Sequence, residues 1–104
     1  MRFYKNLYVS ESMAKKKEKL NKKKYPLKTY VIALIEEGEN QLEFYSTLMF
    51  RQGSVIDDDI FAVGLASGYD DALYLVEEIA KEVYEKTGDL DIRSYIRKQE
   101  REEE

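Results

Sequence analysis

DIFAVGLASGYDDALYLVEEIAKEVYEKTG, residues 59–88, puts a strand, a tight turn and a long helix into one continuous stretch. Ile60 to Ala66 is an unbroken apolar run of strand length. Such a run suits a strand covered on both faces, or a central strand with one packed and one semi-apolar face. Ser67-Gly68 breaks it. Asp70 stands where a helix N-cap belongs, and Asp71 adds charge that the helix dipole favours. At about 100° per residue, Ala72, Leu75, Val76, Ile79, Ala80 and Val83 share a stripe. Tyr74, Glu78, Lys81, Glu82 and Glu85 lie opposite. The pattern predicts a one-sided packing helix over about 70–87, ended by Gly88 in a left-handed conformation. Its polar face carries no catalytic set.

Working outward toward the N-terminus, Thr29 to Glu37 is rich in β-branched and aromatic residues and reads as a second strand. GENQ, residues 38–41, is a turn. Residues 42–51, LEFYSTLMFR, alternate with period 2 and predict a return strand. Leu42, Phe44, Ser46, Leu48 and Phe50 then share one face, and Glu43, Tyr45, Thr47, Met49 and Arg51 the other. Short connections make these strands a meander. Residues 3–9 allow a strand or a short helix, with the strand preferred. Ser10 and Ser12 are candidate caps for a lysine-rich helix from about Glu11 to Lys23, stopped by Tyr25-Pro26. Asp91 caps a short helix holding Ile92, Tyr95 and Ile96. The expected fold is α+β: an antiparallel three- or four-stranded meander sheet. One long helix (about 70–87) packs on one face, beside the lysine-rich N-terminal helix. Residues 1–96 form the domain, and 97–104 a frayed charged tail.

With 104 residues, 43 % apolar and 37 % charged, the chain fits one soluble domain with a modest core. No apolar run approaches the roughly 20 residues that span a bilayer. No sustained apolar region follows the basic N-terminus, so no signal peptide is expected and the location expected is cytoplasmic. The chain has no cysteine and no histidine. That removes disulfides, thiolate metal sites, thiol nucleophiles, Ser–His triads and histidine general bases. Neither GxGxxG nor a P-loop lysine is present. Charge is divided unevenly: residues 1–28 carry +8 and residues 29–104 carry −12, within a total of −4.

FYKNLYVSES (3–12), YVIAL (30–34), ENQLE (39–43), GLASGYDDAL (64–73) and TGDLDIRSYI (87–96) together resemble a group of small uncharacterised proteins of anaerobic Firmicutes. The resemblance covers residues 3–96. It implies a single bacterial cytoplasmic domain and brings no activity, cofactor or site residue with it.

Four features are weighed as sites. Lys15, Lys16, Lys17, Lys19, Lys22, Lys23 and Lys24, with Tyr25, Lys28 and Tyr30 nearby, suit phosphates and stacked bases, or are a solvated helix face. Asp57-Asp58-Asp59 offers carboxylates for a hard cation, but without EF-hand spacing it is better explained by loop solvation. The turn Ser67 to Asp70 has free N–H groups, yet Asp70 and Asp71 would repel an anion. Among the nine tyrosines, Tyr74 sits on the helix's polar face, where it is either a lone exposed ring or an anchor for a partner. The expected function is a small non-catalytic protein-interaction domain without cofactor or metal. Its subunit contact would include Tyr45 and Met49 on the strand 42–51. Either a second subunit covers that strand or residues 3–9 close the sheet within one chain. The alternative is polyanion or nucleic-acid binding through residues 15–28.

Overall fold

Ile60 to Ala66 lies at the heart of the molecule, in a computed structural model that describes residues 1–102. The strands are β1 (Arg2–Tyr8), β2 (Thr29–Leu34), β3 (Leu42–Ser46) and β4 (Phe61–Ser67), in the spatial order β1-β4-β2-β3. β4 pairs with β1 in parallel and with β2 antiparallel, and β3 pairs antiparallel with β2 on its far side. The sheet is therefore mixed, which corrects the antiparallel meander expected from the short connections. The physical reason is burial. Phe61 to Ala66 is buried throughout, and a strand apolar on both sides needs a central position with cover on both faces.

Four α-helices are described: α1 (Glu11–Asn21), α2 (Thr47–Arg51), α3 (Tyr69–Thr87) and α4 (Ile92–Arg101). α3 and α4 cover one sheet face, where Ile79 and Ile96 pack with Ile32, Leu34, Phe61 and Val63. Two helices, not one, thus form that layer. α1 lies on the other face, where Met13 and Leu20 join Val31, Phe50, Ala62 and Leu65 in a second core. Met13 and Leu20 are seven residues apart, two helical turns, and both are buried. They suffice as anchors because Phe50 of α2, Tyr25 and Val55 complete the layer.

Several local boundaries differ from the sequence expectation. The strand predicted for 42–51 ends at Ser46, whose hydroxyl accepts from the Leu48 N–H at 3.2 Å and starts α2. A cap satisfies an otherwise free helix donor, and here that local bond overrides the continuing alternation. α1 ends at Asn21, before Tyr25-Pro26 can act. Lys24 N–H bonds to the Lys19 carbonyl at 2.9 Å, and Lys23 N–H to the Leu20 carbonyl at 3.0 Å. This is a Schellman stop, with Lys23 at φ 57 where glycine is usual. α3 is capped by Gly68, so Asp70 occupies its first turn. α4 continues to Arg101, inside the segment expected to fray, and Glu103 and Glu104 lie outside the described residues. Among the described residues no helix is long and apolar enough to cross a membrane.

Candidate functional site

Three exposed apolar side chains meet at one end of the sheet. Leu27 is 67 % exposed, Leu48 48 % and Tyr69 55 %. With Tyr30, Ser46 and Gly68 they line a groove of about 510 Å3. Each is placed by a nearby constraint. The Ser46 cap turns Leu48 into the first helical turn of α2. The Thr47 hydroxyl donates to the Pro26 carbonyl at 2.5 Å and so fixes Leu27 beside α2. Gly68, at φ 92, puts Tyr69 at the first position of α3. The Tyr69 ring stands edge-on to Phe44 at 5.5 Å and to Tyr30 at 6.2 Å, and those two rings stand edge-on to each other at 5.9 Å. Mutual edge-to-face packing fixes ring orientation, so the groove floor is rigid. The groove adjoins β3, whose outer edge is unpaired among the described residues.

Tyr45 and Met49 are not part of that groove. Tyr45 lies on the α1 side of the sheet, edge-on to Phe50 at 6.3 Å, and its hydroxyl donates to Glu43 Oε2 at 2.7 Å. Burial and the Glu43 carboxylate push its phenol up to about 12. Met49 sits half-buried in α2, where its carbonyl accepts from Ser54 at 2.9 Å. The Tyr45 side chain is thus engaged within its own chain.

The lysines line the outer side of α1. Lys15, Lys17, Lys19, Lys22, Lys23 and Lys24 are exposed and Lys16 is half-exposed. Lys17 Nζ lies 5.4 Å from the centre of the Phe3 ring, a cation–π arrangement. The Schellman stop folds Lys23 and Lys24 back beside Lys19, and α2 brings in Arg51. Lys28 and Tyr30 belong to the apolar groove instead.

Asp57 joins these regions. It opens a short 3-10 turn, Asp57–Asp59, and is buried. Tyr25 donates its hydroxyl to Asp57 Oδ2 at 2.5 Å, Lys23 Nζ lies 3.5 Å from Oδ1, and the Met1 amino group 3.9 Å. Lys23 also pairs with Asp58 at 3.2 Å. Among the described residues no group of three or more carboxylates is placed to hold a metal ion. Burial raises the Asp57 pKa, but the Tyr25 hydroxyl, the Met1 ammonium and Lys23 outweigh it and hold the carboxyl below its ordinary range. Burial and the same carboxylate push the Tyr25 phenol up to about 12. A carboxyl with a depressed folded pKa stabilises fully above its unfolded value, near 3.9, and loses that contribution as pH falls through the folded value. Asp57→Asn is therefore expected to flatten the acid limb of a stability-against-pH curve below about pH 4. Thermal melts at stepped pH check this, and limbs of equal steepness in the two proteins would overturn it.

Two polar links went unread in the sequence. Glu82 Oε2 accepts from Tyr8 and, at 3.4 Å, from Tyr95, which ties β1, α3 and α4 together. Burial raises the Tyr8 phenol well above its usual value. Arg93 donates to the carbonyls of Ile35, Gly38 and Asn40 and clamps the β2–β3 turn to α4. Such carbonyl clamps leave no spacing pattern in a sequence. No family model, curated protein or solved structure matches the chain.

Proposed function

We propose that the chain is a non-catalytic protein-interaction domain whose partner is a second copy of itself. The observation that carries this reading is the convergence of Leu27, Leu48 and Tyr69 on one rigid groove beside the open edge of β3. Grouped exposed apolar side chains mark interaction surfaces, whereas scattered ones need no explanation. An unpaired sheet edge is a template for another strand, and proteins normally blunt or cover it. Within β3 only Glu43 is charged. Edge and groove adjoin on one chain, so a two-fold pairing of β3 with β3 buries both surfaces of both copies. Such an isologous contact closes on itself. The lack of histidine and cysteine supports the non-catalytic part of the reading.

Light scattering at micromolar concentration tests it. The expected mass is twice 12.3 kDa. Leu48→Asp is expected to return the protein to a monomer, because it places a charge in the groove. Glu78→Lys, on the exposed side of α3, should leave the mass doubled. A monomer at every concentration defeats the pairing, and a Leu48→Asp dimer defeats the groove as its seat.

A further inference from the structure

We propose that the hollow between the end of α1 and α2 binds the phosphodiester backbone of single-stranded nucleic acid. The hollow is about 530 Å3 and is lined by Lys19, Lys23, Lys24, Tyr25, Pro26 and Arg51. Four of these six are cations and none is a carboxylate. The lysine run alone would be a solvated helix face. The fold adds Arg51 to it, from a separate helix, and the guanidinium fork is the better phosphate ligand.

The hollow is held open by bonds already described. The left-handed turn at Lys23 carries Lys24 back over the last turn of α1. The Lys23 ammonium is shared between Asp57 and Asp58, so Lys23 acts as a wall. Among the described residues Lys19, Lys24 and Arg51 enter no ion pair. Like charges facing one hollow repel each other, and an anion between them relieves that repulsion. The Tyr25 ring is stacked on Phe50 at 5.4 Å and 23°, which fixes an aromatic surface at the site for a base.

The shape and extent of the charge select the ligand. Lys15, Lys19 and Lys22 are spaced i, i+4, i+7 and continue the positive stripe up α1. A line of cations suits a polymer better than a free phosphate. A concave site admits one strand more readily than a rigid duplex. The net charge of −4 does not oppose this. Glu77, Glu78 and Glu85, on the exposed side of α3, belong to the helix on the opposite sheet face from α1. The molecule is 27 Å across its shortest axis, and at physiological salt the Debye length is only about 8 Å.

Fluorescence anisotropy with a labelled oligodeoxythymidylate tests the proposal. Three contacts at a slope of about −0.7 each predict an affinity loss of about 20-fold between about 50 and 200 mM salt. Arg51→Glu is expected to weaken binding by about tenfold or more, and Lys81→Glu, on the exposed side of α3, by less than about twofold. If Arg51→Glu unfolds the chain, as judged by circular dichroism, Lys24→Glu takes its place with the same expectation. No binding at low salt overturns the site. Equal losses for Arg51→Glu and Lys81→Glu reduce it to overall charge and overturn it too. Duplex DNA binding as tightly as the single strand, or polyglutamate competing as well as the oligonucleotide, removes single-stranded nucleic acid as the ligand.

Discussion

Ile79→Ala is expected to lower stability by about 2–5 kcal/mol, the range for truncating a buried aliphatic side chain. Ile79 is fully buried on α3, in the core shared with Ile32, Val63, Val83 and Ile96. Truncation removes apolar contact and leaves a cavity between helix and sheet. The surroundings are regular strand and helix, so the void can close only partly. Lys81 lies two residues on, exposed to solvent, and Lys81→Ala should change stability by no more than about 0.5 kcal/mol. A domain of this size holds roughly 5–15 kcal/mol in all, so the isoleucine change consumes much of the reserve. Urea unfolding measures both. Comparable losses would mean that α3 does not present Ile79 to the sheet.

Spacing makes some of this fold readable and leaves the rest silent. Ala72, Ile79 and Val83 recur at helical intervals, so the buried side of α3 can be taken from the residue order. The pairing of β1 with β4 cannot. It joins Arg2 to Phe61 across most of the chain, and neither strand carries a mark that names its partner. In 42–51 the alternation is present, yet Ser46 captures the Leu48 N–H and the chain coils into α2. That one hydrogen bond moves Leu48 from an expected core position to the rim of the groove. It also carries Arg51 toward the lysines, which is why arginine was missing from the expected basic site. The Ser46-Thr47 pair before Leu-Met was the available signal, since serine caps and leucine and methionine favour helix. The turn at Lys23 had no such signal, because the stop there uses lysine in a conformation that glycine usually supplies.

Gly64→Val is expected to cost more than about 3 kcal/mol, beyond the usual range for overpacking, because one wall of the site is backbone that cannot move. Gly64 sits in the middle of β4, paired with Tyr8 on one side and Ile32 on the other. Register irregularities on both sides meet there: between Phe3 and Tyr8 in β1, and between Ile32 and Ala33 in β2. Ala62 and Leu65 belong to the α1 side, while Phe61, Val63 and Ala66 belong to the α3 side. Strict alternation would send position 64 to the α1 side. The extra residue in β4 instead turns it toward α3, where a Cβ would lie 2.9 Å from Leu75 Cδ2, 3.2 Å from the Tyr8 carbonyl oxygen and 3.6 Å from Ile32 Cβ. The close approach of these atoms, rather than a left-handed backbone, is what favours a residue without a side chain here, and glycine lets α3 settle onto the sheet. The Leu75 tip can swing aside, but the Tyr8 carbonyl belongs to the β1–β4 ladder and cannot. A double-mutant cycle separates the two. Gly64→Ala should cost less in a Leu75→Ala background than in the parent, with a residual penalty from the Tyr8 oxygen. An unchanged penalty would place the whole clash on the backbone. No penalty for Gly64→Ala or Gly64→Val in either background would show that α3 does not approach β4 this closely.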